Sequence, residues 1–270
     1  MTLAFNDRLR QVSRSRNSLL CVGLDPDPEK LPAHLNGDIL RFNLAIVQAT
    51  APYAAAFKLN AAFYEALGEY GLQALRATIE AIPSDVITIY DAKRGDIGNS
   101  SRFYARAAFD LLGCDAVTVN PYMGRDAVEP FLKDPAFGAF VLCLTSNPSA
   151  NDFQTATIDG LPLFKRVALA VQDWNTADNC GLVVGATHPE PVAELRSLVP
   201  ELPFLVPGIG AQGGQVATAV RAATDTEGLG ALFNVSRGIL YASNGNDFAE
   251  AAARKAEQLR DEINQHRRRL

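Results

Sequence analysis

The sequence predicts an α/β chain folded as one (β/α)8 barrel, a TIM barrel, over residues 1–270, with an extra amino-terminal helix. Three observations support this fold. Eight short apolar runs alternate with longer amphipathic segments, polar or special residues follow nearly every run, and no linker or low-complexity segment divides the chain. A doubly wound open sheet is the alternative, because the spacing of the runs alone does not exclude it.

The eight apolar runs have the length and composition of buried parallel strands. They are Leu19–Leu24, Ala54–Leu59, Val86–Tyr90, Ala116–Asn120, Ala139–Leu144, Leu182–Gly185, Phe204–Val206 and Leu232–Val235.

Between the runs, apolar residues recur at spacings of three and four, which indicates amphipathic helices. The clearest are Asn6–Ser15 before the first strand, Asp38–Thr50, Ala61–Ile82, Ser101–Leu112, Phe164–Asn175 and Phe248–Gln265. The segment 145–160 is too long for an ordinary loop between strand and helix, so we expect it to be a lid.

The composition excludes several classes of function. The net charge of −5 argues against a nucleic-acid or anionic-membrane partner, and no uncharged apolar run reaches the length of about 20 residues needed to cross a bilayer. The amino terminus lacks a signal-peptide core. The four cysteines contain no Cys-x-x-Cys pair, which is typical of a reduced, cytoplasmic protein. The three histidines are scattered, so we expect no metal site and no serine–histidine triad.

Charged residues of both signs follow two of the apolar runs. Asp91, Lys93 and Asp96 come directly after Val86–Tyr90, and Lys58 lies at the end of another run. Asp91 and Lys93 are two residues apart, so an extended chain would point both to one face. A stabilising salt-bridge cluster is the simplest reading. However, buried ion pairs often add little net stability, which favours catalysis for these four residues.

A second group of residues indicates a phosphate site. The segment 207–214 holds four glycines and leads towards a helix, so its backbone N–H groups can approach an anion. Arg237 follows the eighth run, and the loops after strands seven and eight of such barrels often bind phosphate. Asp25, after the first run, could accept hydrogen bonds from a sugar hydroxyl or cap the following turn.

The segment 91–100, Asp-Ala-Lys-Arg-Gly-Asp-Ile-Gly-Asn-Ser, closely resembles the D-x-K-x-x-D segment of the orotidine 5′-phosphate decarboxylase family, in its D-A-K-R-G-D-I-G version. D-x-K-x-x-D alone is shared with sugar-phosphate enzymes on the same barrel. The resemblance extends over almost the whole chain, to Phe5–Leu9, Asp25, Phe57–Asn60, Pro207–Gly214 and Ser236–Gly238.

The resemblance implies cofactor-free decarboxylation of orotidine 5′-phosphate to uridine 5′-phosphate in pyrimidine biosynthesis. Lys93 would protonate C6 of the pyrimidine after carbon dioxide leaves. Asp91 would lie against the substrate carboxylate, and Lys58 would hold Asp91 and contact the ribose. Asp96 would enter the site of the partner subunit, which makes the protein a homodimer with shared sites.

The resemblance also implies a set of substrate-binding residues. Ser100, where the family often has threonine, would contact the ribose across the interface, and Ser146 would bind the pyrimidine ring. Gln212 and Arg237 would hold the phosphate. The complete set is Asp25, Ser100, Ser146, Pro207, Gly210, Gln212, Arg237 and Gly238.

Three other functions stay open at this point. In a metal-dependent sugar-phosphate decarboxylase or aldolase, Asp25, Asp91 or Asp96 would bind magnesium. In a Schiff-base aldolase, Lys58 or Lys93 would be the nucleophile, although acidic neighbours should keep either lysine protonated. A non-catalytic module would bind the nucleotide without turning it over.

Overall fold

The sheet of this chain closes into a barrel. The computed structural model describes residues 3–187, 189–209 and 213–267, and of residues 213–215 it describes the backbone alone. In this part of the chain, eight parallel strands form the barrel, and an antiparallel hairpin, β6 and β7, follows the fifth strand. The strands are β1 (Leu20–Gly23), β2 (Ala56–Asn60), β3 (Ile87–Arg94), β4 (Ala116–Val119), β5 (Gly138–Leu144), β6 (Thr157–Ile158), β7 (Leu161–Pro162), β8 (Cys180–Val184), β9 (Phe204–Pro207) and β10 (Ala231–Val235).

Closure occurs between the first and last strands. Val22 of β1 lies opposite Phe57 on one side and Val235 on the other, and both pairings are parallel. The order round the barrel is β1-β2-β3-β4-β5-β8-β9-β10. An open sheet would leave two edge strands, so the predicted barrel is confirmed and the doubly wound alternative is wrong.

Helices follow the strands, and α1 precedes them as the sequence predicts. The α-helices are α1 (Phe5–Ser15), α2 (Ile39–Thr50), α3 (Ala61–Glu65), α4 (Gly68–Glu80), α5 (Gly98–Arg106), α6 (Arg125–Val128), α7 (Leu163–Trp174), α8 (Pro189–Leu198), α9 (Gly213–Ala223), α10 (Arg237–Leu240) and α11 (Phe248–His266). A π-helical turn over Ala107–Leu111 continues α5. Short 3₁₀ turns span Pro28–Lys30, Ala33–Leu35, Ala51–Tyr53, Glu129–Phe131 and Pro148–Asp152.

The prediction of one helix over Ala61–Ile82 is wrong, because the structure divides it into α3 and α4. Gly68 at the junction has φ +61°, a left-handed conformation that interrupts a right-handed helix. Gly71 lets α4 approach α3 closely, since a Cβ there would lie 1.9 Å from the carbonyl oxygen of Tyr64. Both helices keep apolar residues at spacings of three and four, so the spacing pattern does not reveal the break.

The barrel interior is apolar at the amino-terminal ends of its strands and polar towards their carboxyl ends. The apolar level is one buried cluster, formed by Phe5, Leu9, Cys21, Ala55, Ala56, Ile87, Ile89, Ala116, Phe140, Val183, Leu205 and Leu232. Two residues further along β2, β3, β4 and β10, the buried positions are Lys58, Asp91, Thr118 and Asn234. The polar level lies where the active sites of such barrels are found.

Helix α1 closes the amino-terminal end of the barrel. Phe5 is 1% exposed and packs edge-on against Phe140, with ring centroids 5.9 Å apart. Gly138 is required by this packing, because a Cβ there would lie 2.3 Å from the Phe5 ring. The backbone N–H of Phe5 donates to the carbonyl of Pro135 at 2.8 Å, and that of Asn6 donates to the carbonyl of Asp178 at 3.1 Å.

None of the helices in the described residues combines the length and the apolar character that a membrane span requires.

We predict that Phe5→Ala lowers the free energy of unfolding by about 3–5 kcal/mol, because it removes a buried ring and leaves a cavity at the barrel end. Urea denaturation followed by circular dichroism measures the change. Phe153→Ala is the matched control. The Phe153 side chain is 70% exposed, and its loss should change stability by no more than about 0.5 kcal/mol. Equal effects of the two substitutions would contradict the role given to Phe5.

Candidate active site

Two oppositely charged side chains meet inside the barrel on neighbouring strands. Lys58 on β2 is 4% exposed and Asp91 on β3 is 8% exposed. Lys58 lies opposite Ile89 in the parallel register, two residues before Asp91. The lysine stem therefore reaches towards the carboxyl end, and its Nζ lies 2.7 Å from Asp91 Oδ2. Lys58 lies inside β2 rather than after it.

Lys93 supplies the second cation to the same carboxylate. Its Nζ lies 2.7 Å from Asp91 Oδ1, and its side chain is 47% exposed, so the ammonium group is open to a ligand in the barrel mouth. The backbone is not the regular extended chain that the sequence predicts. Lys93 has φ +46°, and the register between β3 and β4 shifts between Tyr90 and Arg94. Lys93 therefore lies in a bulge and still meets Asp91.

The two lysines decide the protonation state of Asp91. Burial raises the pKa of this carboxyl, but Lys58 and Lys93 together outweigh burial and lower it to about 2. Burial also lowers the pKa of Lys58, and here Asp25 and Asp91 outweigh it, so the pKa lies above its ordinary value. At neutral pH Asp91 is a carboxylate and Lys58 is an ammonium ion.

Asp25 is held at the opposite side of the same lysine. Its Oδ1 lies 3.7 Å from Lys58 Nζ and accepts the backbone N–H of Asn60 at 3.3 Å, and its Oδ2 accepts the hydroxyl of Ser236 at 2.6 Å. Gly23 makes room for this contact, since a Cβ there would lie 1.9 Å from Ser236 Oγ. The predicted site residues do not include Ser236, although it directly follows the apolar run Leu232–Val235.

Thr118 is a second residue that sequence reasoning missed. This buried side chain of β4 donates its hydroxyl to Asp91 Oδ1 at 2.8 Å and accepts the backbone N–H of Lys93 at 2.9 Å. The one signal in the sequence is a polar residue in the middle of the apolar run Ala116–Asn120.

A cavity of about 560 Å³ extends from Asp25 to the end of β9 and the start of α10. Its lining includes Ser236, Arg237 and Gly238, together with Gly208, whose φ of +97° suits glycine. Pro207 ends β9 directly before this turn, and Arg237 is exposed. The structure thus brings Asp25, Arg237 and Gly238 to one cavity. The predicted phosphate ligands Gly210 and Gln212 lie outside the described residues.

The remaining predicted residues lie at the rim. Ser146 follows β5 and is exposed, and its backbone packs against Gly185, where a Cβ would lie 2.8 Å from Ser146 N. Asp96 lies in the loop after β3, where its Oδ1 accepts the N–H of Ile97 at 2.8 Å. Ser100 is exposed in the first turn of α5. Asp96 forms an ion pair with neither Lys58 nor Lys93 of its own chain.

The arrangement disfavours two of the alternative chemistries. The Lys58 ammonium pairs with both Asp25 and Asp91, and Lys93 takes the other oxygen of Asp91, so cations of the chain already occupy the carboxylates that a magnesium ion would need. No cluster of three potential metal ligands occurs among the described residues. The raised pKa of Lys58 keeps this amine protonated, so it is a poor Schiff-base nucleophile.

The family model, the similar sequences and the similar solved structures all indicate the same family. Residues 18–253 match the family model described as "Orotidine 5′-phosphate decarboxylase / HUMPS family". The chain is 49% identical to an orotidine 5′-phosphate decarboxylase of Dehalococcoides mccartyi, over 99% of this chain and 100% of that one. It is 52% identical to the Aromatoleum aromaticum enzyme of the same name, over 97% and 99%. The solved structure of Leishmania donovani OMP decarboxylase is similar with a TM-score of 0.83 and 38% identity, covering 96% of this chain and 99% of that chain.

We predict that Asp91 makes stability depend on acid pH. Its pKa is lowered from 3.8 to about 2 on folding, so its contribution is complete above the unfolded value and is lost as pH falls towards 2. This amounts to about 2 kcal/mol between pH 5 and pH 2. Urea denaturation at the two pH values should show a fall that is about 2 kcal/mol larger in the wild-type chain than in Asp91→Asn. Parallel falls in the two chains would contradict the assignment.

Proposed function

Because this chain belongs to the orotidine 5′-phosphate decarboxylase/HUMPS family, we propose that Lys58, Asp91 and Lys93 carry out its reaction at the mouth of the barrel. The reaction is the decarboxylation of orotidine 5′-phosphate to uridine 5′-phosphate, a carboxy-lyase step of pyrimidine biosynthesis. One observation carries the assignment of roles: the Asp91 carboxylate has a lysine Nζ 2.7 Å from each of its oxygens, and of these two lysines Lys93 is half-exposed whereas Lys58 is buried.

The step breaks the bond between C6 of the pyrimidine and its carboxylate carbon. The electron pair of that bond stays on C6 and carbon dioxide leaves. The half-exposed Lys93 ammonium gives C6 a proton and recovers one from solvent. Lys58, which is buried and bonded to Asp91, holds the carboxylate rather than transferring a proton.

Asp91 destabilises the substrate carboxylate beside it. Two like charges about 4 Å apart repel by about 4 kcal/mol at an effective dielectric constant near 20. Relief of this repulsion as carbon dioxide departs would contribute up to about three powers of ten in rate, and the two lysines reduce it. The preorganised ammonium of Lys93 beside the negative carbon supplies further stabilisation.

Binding of the ribose phosphate positions the ring over these groups. Asp25 is fixed by Ser236 and faces the same cavity as Arg237, which supports a sugar contact for Asp25 and a phosphate contact for Arg237. Pro207 and Gly238 border the phosphate end, Gly210 and Gln212 would complete it, and Ser146 would reach the pyrimidine from the rim. Binding energy from the phosphate is available to the reacting centre.

A homodimer would complete the site. Asp96 and Ser100 are followed and flanked by exposed apolar side chains, of which Ile97 is 58% and Tyr122 is 88% exposed. The loop that holds Tyr122 and Met123 lies against the loop that holds Gly95 and Asp96. A Cβ built on Gly95 would lie 3.6 Å from Met123 Cε. A second copy of the chain on this apolar face would bring its Asp96 and Ser100 to the neighbouring cavity.

We also propose that the reaction takes place in the cytoplasm, since each of the four cysteines is a buried free thiol.

We predict that Lys93→Ala lowers kcat by about 10²–10⁴-fold or more, because a positioned proton donor typically contributes that much. The loss of orotidine 5′-phosphate absorbance in the ultraviolet measures turnover, and titration with uridine 5′-phosphate checks that binding persists. Lys133→Ala is the control, since Lys133 is exposed before the amino-terminal end of β5. The wild-type chain should keep its activity after dialysis against a chelator, because the proposed reaction uses no metal ion. Near-normal turnover by Lys93→Ala would remove this lysine from the reaction.

We predict that inactive Asp96→Ala and Lys93→Ala chains rescue each other when mixed. In a dimer with shared sites, a mixed pair has one doubly defective site and one intact site, so random mixing restores roughly a quarter of the wild-type activity. Differently tagged chains allow the mixed pairs to be isolated and assayed. An inactive, verified mixed pair would contradict sharing.

A further inference from the structure

A single hydroxyl, that of Thr118, bonds both Asp91 and Lys93. Thr118 lies on β4, is 1% exposed, and alternates with outward-facing Val117 and Val119, so its side chain points into the barrel. Its Oγ1 donates to Asp91 Oδ1 at 2.8 Å and accepts the backbone N–H of Lys93 at 2.9 Å. The same oxygen therefore fixes the carboxylate of one residue and the backbone of the other.

The backbone at Lys93 needs such a partner. Between the register pairs Tyr90–Val117 and Arg94–Val119, β3 has three residues where β4 has one. The bulge takes Lys93 out of the regular ladder. Its backbone has a left-handed conformation with φ +46°, which residues other than glycine rarely adopt. The Thr118 hydroxyl accepts the N–H that the regular ladder no longer pairs.

The carboxylate also needs such a partner. Asp91 Oδ2 has one donor, Lys58 Nζ, whereas Oδ1 is shared by Lys93 Nζ and Thr118 Oγ1. Lys93 is half-exposed and must be free to give its proton to the substrate. The Thr118 hydroxyl bonds Oδ1 independently of Lys93, so it can hold the carboxylate plane in place without the lysine.

We propose that Thr118 is a positioning residue for the decarboxylation, acting through Asp91 and Lys93 without touching the substrate. The inference rests on the proposed function of those two residues. A structural role alone would make Thr118 matter for stability. A positioning role makes it matter for kcat at an unchanged KM, because Thr118 bonds Asp91 and Lys93 and contacts neither Asp25 nor Arg237, the groups proposed to hold the ribose and the phosphate.

The test compares two substitutions at this position. Thr118→Val keeps the shape and removes the hydroxyl, and it should lower kcat by about 10- to 100-fold while KM changes by less than about threefold. Thr118→Ser restores the hydroxyl and should recover kcat to within about fivefold of the wild-type chain. The matched control is Thr88→Val. Thr88 on β3 has a buried hydroxyl that also bonds a carboxylate and a backbone N–H, those of Asp115, at the other end of the barrel. Its loss should leave kcat unchanged.

A second measurement does not depend on turnover. Hydrogen exchange of the Lys93 amide should be faster in Thr118→Val than in the wild-type chain and close to wild-type in Thr118→Ser. Wild-type kcat or wild-type amide exchange in Thr118→Val would overturn the inference, as would an equal loss of kcat in Thr118→Ser or Thr88→Val. Absence of turnover in the wild-type chain would instead overturn the proposed function, and the inference with it.

Discussion

The ionised carboxylate of Asp91, buried between two ammonium groups, is the interaction on which the site depends. A buried charge is tolerated only when it is paired and hydrogen-bonded, and here Lys58, Lys93 and Thr118 fill both oxygens. The lysines keep the pKa of Asp91 at about 2, so it is ionised at neutral pH. Asp91 is the shared member, because both lysines and the threonine bond the same carboxylate.

The barrel assembles these charged and polar residues because its interior changes from apolar to polar along the strands. Small and apolar side chains fill the amino-terminal level, and the next inward positions on β2, β3 and β4 are Lys58, Asp91 and Thr118. Parallel strands in register bring these residues together although they are far apart in the chain. Local departures from regular structure then adjust them: a bulge turns Lys93, and the missing side chain of Gly23 admits Ser236 beside Asp25.

Much of the fold and part of the site could be predicted from the sequence, for identifiable physical reasons. Lys58, Asp91 and Lys93 stand out because charges interrupt apolar runs, and the carboxyl ends of parallel strands share one edge. Thr118 does not stand out, since threonine between valines is ordinary in a strand. The left-handed turn at Lys93 depends on pairing with β4, which no pattern within β3 reveals. The break between α3 and α4 at Gly68 also depends on tertiary packing, in which α4 approaches Tyr64 of α3 closely.

The attachment of α1 has a consequence for the order in which the molecule is assembled. The helix precedes all eight barrel strands along the chain, yet Asn6 donates its side-chain amide to Asp178 and to the carbonyl of Cys180, at separations of 172 and 174 residues. Just after α1, the backbone carbonyl of Asn17 accepts a hydrogen bond from the side-chain amide of Asn264 in α11 at 2.8 Å. Until β5, which carries Gly138 and Phe140, has been synthesised, Phe5 has no pocket to enter and stays exposed to water. Such distant pairings slow folding, so the nascent chain carries an exposed aromatic side chain, which favours aggregation, until β8 has been synthesised.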